Sequence, residues 1–219
     1  MVIGTRSMSD LMLIYSLLAQ AYGCLEWWPA KSPFEVMVGA VLTQNTAWRN
    51  VEKALANLGE NCTPQFIAGV SRQELITLIR PCGFYNRKAA CLKDLTFWFK
   101  KYDYALAKVK QATGPCLRSE LLAIKGVGKE TADSILTYAL QKPYFVIDAY
   151  TRRILSRWGF KLPKAYDILR EQIESNLPLD LEFYQQFHAL FVELGKRQCR
   201  KKPLCTGCPL EIGCQKLGG

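Results

Sequence analysis

The sequence predicts an all-α fold on three observations. Apolar residues recur at helical spacing along most of the chain, start and stop signals punctuate nearly every such segment, and only Tyr144 to Ile147 reads as extended. So short an extended run cannot found a sheet, so helices must pack on helices. No internal repeat runs along the chain, which excludes a solenoid.

Each element has its own signals. Ser9 opens the first, with Leu11, Ile14, Leu17, Leu18 and Ala21 on one face and Gly23 as its stop. Ser32, Pro33 and Glu35 form a capping box with proline at the first helical position, ahead of a very apolar helix through Val41. Thr46 is read as the cap of the next helix, whose face is Trp48, Val51, Leu55 and Leu58 and whose stop is Gly59. Thr63 and Pro64 start a short helix. Ser71 and Glu74 form a second capping box before Leu75, Leu78 and Ile79, and Pro81 ends that run. Helices are further expected over 86–100, 118–124, 130–140, 149–158, 164–176 and 181–196. At Gly195 a helix gives way to a basic, cysteine-rich tail, expected as a loop held by what it binds.

A chain of 219 residues with 49% hydrophobic content can bury a core, in one large domain or two small ones. The apolar stretch Leu11 to Ala21 is amphipathic and shorter than the roughly 20 residues a membrane span needs, so no membrane partner is expected. Residues 1–10 lack the pattern of a secretory signal, and the cytoplasm is the expected compartment. Of nine cysteines, Cys24, Cys62, Cys82, Cys91 and Cys116 are scattered, as suits reduced thiols. Cys199, Cys205, Cys208 and Cys214 are clustered with spacing C-x5-C-x2-C-x5-C, which suits a metal site; spacing alone leaves structural zinc and 4Fe–4S both open. A net charge of +10 and a pI near 9.2 favour a polyanionic partner, although charge alone does not separate a nucleic-acid binder from an ordinary basic protein.

Placement of the basic and glycine residues is more informative. Leu121 to Ala132 reads LLAIKGVGKETA: a helix end, a turn of Gly126, Val127 and Gly128, and a new helix opening on Lys129, Glu130 and Thr131. Two glycines let the backbone turn sharply and leave amides exposed at a helix start, where dipole and N–H groups together suit a phosphate. Val127 would plug the gap between the two helices. A plain helical connection has the same local pattern. Further on, Asp148 follows Val146 and Ile147 and precedes a helix with Ile154, Leu155 and Trp158 on its face. It stands at the N-cap, where its carboxylate stabilises the helix by roughly 0.5–2 kcal/mol. Such a carboxylate also keeps a low pKa and stays ionised, ready to stabilise a developing cation. The only histidine, His188 in QQFHALF, is read as a packed core residue rather than a ligand or base.

LLAIKGVGKETADSILTYA followed by VIDAYTRRILSRWG resembles the helix-hairpin-helix glycosylase superfamily of endonuclease III. GAVLTQNT at Gly39–Thr46, FYNRKA at Phe84–Ala89 and the cysteine tail extend the resemblance over residues 27–214. It implies two helical domains sharing a cleft: residues 25–137, ending in the hairpin, and residues 1–24 with 138–219, holding a 4Fe–4S cluster on the four cysteines. The partner would be double-stranded DNA containing a damaged base, bound by a monomer near the nucleoid. Asp148 would be the catalytic carboxylate, stabilising an oxocarbenium-like transition state or activating water against C1′. Gly126, Val127, Gly128 and Lys129 would grip a backbone phosphate. Gln44 would fill the gap left by the flipped base. Arg200, Lys201 and Lys202, on the loop between the first two cysteines, would add a salt-sensitive phosphate grip.

Bifunctional members of that superfamily carry a lysine two residues after the last hairpin glycine, where its amine forms a Schiff base. This chain has Glu130 there, so hydrolysis without strand cleavage is expected. The run Glu26, Trp27, Trp28, Pro29, with LTQNT, GFYNRKA and GKETAD, looks like the 3-methyladenine DNA glycosylases of the third bacterial type. Trp27 and Trp28 would then line the base pocket, since an indole face attracts a positively charged alkylated purine. Two departures stand against this. The first cysteine spacing is one residue shorter than that of endonuclease III, and the alkylpurine branch can lack the cluster. A glycosylase/AP lyase acting on oxidised pyrimidines and a non-catalytic damage sensor are the rival readings, and the lesion itself is not legible.

Overall fold

The computed structural model describes residues 7–25 and 28–216, and among these there is no β-strand. In chain order the helices are α1 (Asp10–Tyr22), α2 (Pro33–Leu42), α3 (Trp48–Leu58), α4 (Pro64–Gly69), α5 (Arg72–Ile79) and α6 (Tyr85–Lys100). There follow α7 (Leu106–Gln111), α8 (Gly114–Leu122), α9 (Lys129–Ser134), α10 (Ala149–Trp158), α11 (Tyr166–Glu174) and α12 (Leu181–Arg197). They fall into two units, one comprising Met1–Trp27 and Pro143–Gly219, the other Trp28–Lys142.

In the 28–142 unit α2 is the central element: from Phe34 to Leu42 every residue but Glu35 is buried. Its start is the expected cap, with Ser32 Oγ accepting from the Glu35 amide at 3.1 Å and Pro33 in the first turn. Thr63 and Ser71 cap α4 and α5 in the same way, at 3.3 and 3.1 Å. Thr46 does not cap α3. Ala47 holds that position, and Thr46 Oγ1 accepts from Asn50 Nδ2 at 3.0 Å instead of from a backbone amide. The α8 helix begins at Gly114, four residues ahead of expectation, because Thr113 caps it through the Cys116 amide and Pro115 sits in its first turn. Lys88 is buried and donates to the carbonyls of Leu42 and Cys82 at 2.9 and 2.8 Å, so it satisfies the end of α2 and the turn before α6 together. Burial holds its pKa below the ordinary lysine value.

Two features of this unit place the hairpin. Arg118 on α8 donates to both oxygens of Asp133 on α9, at 2.6 and 3.2 Å, and Asp133 is fully buried. That bidentate clasp joins the helices on the two sides of the turn. Beyond α9 the helix widens into a π turn over Ile135–Ala139, where the Leu140 amide donates five residues back to Ile135 O at 3.0 Å.

The core of the other unit gathers Leu11, Ile14 and Leu18 of α1, Ile154, Leu155 and Trp158 of α10, Leu169 and Ile173 of α11, and Tyr184, Phe187, Leu190, Phe191 and Leu194 of α12. Phe187 and Phe191 stack at 4.5 Å, and Phe145 meets Phe187 edge-on at 5.7 Å. Ser9 does not cap α1: it has helical dihedrals already, so its side chain makes no cap bond, and Ser7 O takes the Asp10 amide at 2.9 Å. The extended run 144–147 finds side-chain partners in place of a neighbouring strand. Phe145 N donates to Glu174 Oε1 at 2.8 Å and Ile147 N to Tyr166 Oη at 3.2 Å. Helix α12 approaches α10 at Gly195, where a Cβ would collide with the Tyr150 ring, 2.8 Å from its Cγ.

Candidate functional site

The glycine turn between α8 and α9 is held from beneath. Gly126 has φ +95°, a region that disfavours side chains, and an added Cβ would meet Cys91 Cβ and Sγ at 3.3 Å. Glycine is therefore required there by conformation and by the close approach of Cys91. Gly128 is extended and occupies the N-cap position of α9. Val127 is buried, and its amide donates to Ile124 O at 3.0 Å. Lys129 and Glu130 are both exposed in the first turn of α9. Gln44, just past α2, joins this turn: its Nε2 donates to Gly126 O at 3.0 Å and to Thr131 Oγ1 at 2.9 Å. Gln44, nominated for the base gap, is thus hydrogen-bonded to Gly126 of the turn nominated for phosphate.

Of the two nominated tryptophans, Trp27 lies outside the described residues. Trp28 is half-buried with a left-handed backbone, φ +66°. Its ring lies 5.1 Å from that of Tyr138 and 5.8 Å, edge-on, from that of Trp48. Gly39 leaves room for it, since a Cβ there would stand 3.3 Å from the indole Nε1. Sequence reasoning missed Tyr138 and Trp48 as members of this aromatic group. Trp48 was legible as the first residue of a helical face, whereas Tyr138 is the partly exposed residue of the otherwise buried π turn.

Asp148 stands at the start of α10, as its sequence context predicts. Its Oδ1 accepts the Thr151 amide at 2.7 Å, and its Oδ2 lies 3.6 Å from His188 Nε2 on α12. Burial pushes the Asp148 carboxyl up, but His188 and Thr151 together outweigh it and hold the pKa below the ordinary value of 3.8. A carboxylate in this setting is ionised near neutrality and only partly exposed to solvent, so its charge is screened less than a surface charge and can stabilise a cation formed beside it. His188 is 5% exposed, as a packed core residue should be, yet it also faces this carboxylate. No pattern in QQFHALF could have announced that, because the contact spans 40 positions of sequence.

Among the described residues no three His, Cys, Asp or Glu side chains stand in a metal-holding group. Cys199, Cys205, Cys208 and Cys214 nonetheless line one cavity of about 30 Å³ with Arg157, Gln198 and Leu204. Burial raises the Cys208 thiol pKa, and the other three cysteines are close enough to add to it. Arg157, buried near the end of α10, donates to Cys199 Sγ at 3.4 Å, to Arg200 O at 2.6 Å and to Lys201 O at 3.0 Å. Arg153 Nε adds a bond to Cys199 O at 2.7 Å. With its carbonyls drawn inward to these arginines, the loop presents Arg200, Lys201 and Lys202 as exposed.

The helical fold and its glycine hairpin define a helix-hairpin-helix protein. Within that class, the chain belongs to the HhH-GPD superfamily of base excision DNA repair proteins, which matches residues 38–179. It is 51% identical over 207 residues to a Methanocaldococcus jannaschii protein provisionally named a DNA repair glycosylase, covering 92% of this chain and 94% of that one. Among solved structures, 3-methyladenine DNA glycosylase from H. pylori, bound to 1,N6-ethenoadenine, superposes with a TM-score of 0.75 at 30% identity, over 88% of this chain and 98% of that one. An endonuclease III bound to DNA without a covalent link superposes with a TM-score of 0.82 at 23% identity, over 96% of each chain, and shows the shared fold.

Proposed function

We propose that this chain is a monofunctional DNA glycosylase that hydrolyses the N-glycosidic bond of an alkylated purine flipped out of duplex DNA. The observation that carries the reading is the Asp148 carboxylate, partly buried, oriented by the Thr151 amide and ionised near neutrality. In the reaction the bond from C1′ to the base breaks with its electron pair leaving on the base, and positive charge develops on the sugar. Asp148 stabilises that charge and takes the proton of the water that adds at C1′, leaving an abasic site. An alkylated purine is already a good leaving group, so no strong acid is required. Glu130 occupies the position of the lyase lysine and cannot form a Schiff base.

Gly126, Val127, Gly128 and Lys129 would hold a backbone phosphate, with Gln44 poised beside them to enter the base gap. Arg200, Lys201 and Lys202 would grip a second stretch of backbone. The H. pylori glycosylase similarity and the aromatic group around Trp28 support a purine substrate, with Trp27 as a further pocket wall. The four cysteines suit a 4Fe–4S cluster: a thiolate donor set around one cavity, with an arginine donating to one sulfur. Such a cluster would cross-link the basic loop. DNA is the partner, the acting unit is a monomer, and the cytoplasm beside the nucleoid is the site of action.

The test incubates the purified protein with duplexes carrying 3-methyladenine, 7-methylguanine, 1,N6-ethenoadenine, oxidised pyrimidines, uracil and mismatches, scoring base release apart from strand cleavage. Release of a methylated or etheno purine without cleavage, abolished by Asp148→Asn, is the expected result. A borohydride-trapped adduct would replace the proposal with a glycosylase/AP lyase. Activity untouched in Asp148→Asn would remove Asp148 from catalysis.

A further inference from the structure

The Asp148 carboxylate has two oxygens and two different neighbours. Oδ1 is fixed by the Thr151 amide, a bond within its own helix. Oδ2 lies 3.6 Å from Nε2 of His188, a residue on another helix. One hydrogen bond leaves a carboxylate free to swing about its χ2 torsion; a second, from another direction, fixes its plane. The ring is carried on α12, which lies close to α10 because Gly195, two helical turns past His188, admits the Tyr150 ring against its backbone. Phe187, Ala189 and Leu190 bury α12 on both sides of His188 and limit the ring's freedom. The separation is about 0.7–0.9 Å beyond a charge-assisted hydrogen bond, slack that catalytic contacts lose when substrate binding tightens the site.

We infer that His188 is a positioning residue for Asp148: its Nε2–H donates to Oδ2 and holds the carboxylate plane in the orientation that faces the developing sugar cation. It touches neither DNA nor the reacting atoms. The inference rests on Asp148 being the catalytic carboxylate, and it extends that reading to a residue on another helix. It also gives the buried imidazole a purpose that a leucine or phenylalanine in the same core position could not serve.

The test compares His188→Gln, which keeps a donor, with His188→Leu, which keeps the bulk and loses the donor. Single-turnover base release is measured on the duplex that the wild type processes, and affinity on a duplex containing a tetrahydrofuran abasic-site analogue. His188→Leu should slow release by about 10- to 100-fold, the usual effect of removing an orienting partner, with affinity unchanged within twofold. His188→Gln should restore most of the rate. Adding His188→Leu to Asp148→Asn should cost nothing further.

The chain has a single histidine, so its imidazole ¹⁵N resonances are assigned by default, and Asp148→Asn should shift Nε2 whatever the substrate proves to be. This arm decides the matter even if His188→Leu fails to fold. Unchanged Nε2 resonances, or a His188→Leu protein as fast as wild type, would overturn the inference while Asp148→Asn stays inactive. An active Asp148→Asn enzyme would instead overturn the catalytic reading on which it rests.

Discussion

Replacing Gly195 by alanine should destabilise the protein, although alanine is the better helix former. In a helix interior the exchange ordinarily gains about 0.5–1 kcal/mol, because glycine loses more backbone freedom on folding. At Gly195 the new methyl would fall on the Tyr150 ring, 2.8 Å from Cγ and 3.0 Å from Cε1. Ordinary carbon contacts lie near 3.5–4.0 Å and Cδ1 stands closer still than Cγ, so the ring or the helix must retreat by roughly 1.5 Å. Turning the ring about χ2 gives no relief at Cγ, which lies on that axis. Tyr150 must therefore leave its rotamer, with its stacking on Arg153 at 5.0 Å, or α12 must move off α10. Overpacking costs about 1–3 kcal/mol, and with this degree of overlap the upper half of that range applies, which leaves a net loss of about 1–2 kcal/mol after the propensity gain. At roughly 2–4 °C per kcal/mol for a chain of this size, the Tm by far-ultraviolet circular dichroism should fall by about 2–8 °C. Gly69→Ala is the control: it ends α4 and its added Cβ would meet nothing within 4 Å, so its Tm should hold or rise. A Gly195→Ala protein at least as stable as wild type would refute the claim that this glycine sets the spacing of the two helices.

Three further outcomes are expected. Asp148→Ala should lose about 0.5–2 kcal/mol in urea denaturation through the lost cap, whereas Asp148→Asn keeps a capping oxygen and should lose less, while both lose base release; equal stability losses would show that the cap is not the structural role. Because the folded pKa of Asp148 is depressed, its ionised form adds stability above the unfolded value near 3.8 and loses it as pH falls through the lower folded value. The stability difference between wild type and Asp148→Asn, with His188 facing the same position, should thus shrink below pH 3.8 and vanish at still lower pH, and a difference that widens on acidification would contradict the sign. Changing Arg200, Lys201 and Lys202 together to glutamine should weaken DNA binding and flatten the log Kd against log salt slope by up to about 2–3, one counterion per lost phosphate contact; an unaltered slope would take the loop off the DNA.

The sequence signals that proved most accurate were those written in adjacent residues. Ser32, Thr63, Ser71 and Asp148 cap the helices expected of them, since a cap depends on a side chain reaching an amide two or three residues on. Ser9 failed although it holds the N-cap position, because its backbone is already helical, and Thr46 because it stands one residue short of the cap. Helix α7 escaped notice because its six residues, LAKVKQ, bury only Val109 and so carry hardly any periodic signal. The hairpin was legible from its glycines, but the second reason for Gly126, the Cys91 side chain beneath it, comes from a distant helix. What stayed hidden in the candidate site was tertiary: Gln44 bonded to the hairpin, Tyr138 and Trp48 beside Trp28, and His188 beside Asp148. Each pairs residues whose spacing in the chain has no period to detect.

The π turn over Ile135–Ala139 bears on how this chain can change length. A helix that closes its bonds five residues back at one point carries one residue more than an α-helix over the same span, and each residue in an α-helix is worth about 100° of rotation. Removing one residue from that turn lets α geometry run through it and leaves the flanking helical faces in phase. The same deletion in α2 or α6 would rotate a buried face into solvent. This segment is accordingly where a one-residue deletion keeps the flanking faces in register, its effect confined to repacking of the turn's own buried Ile135, Leu136 and Ala139 and of the aromatic neighbours of Tyr138.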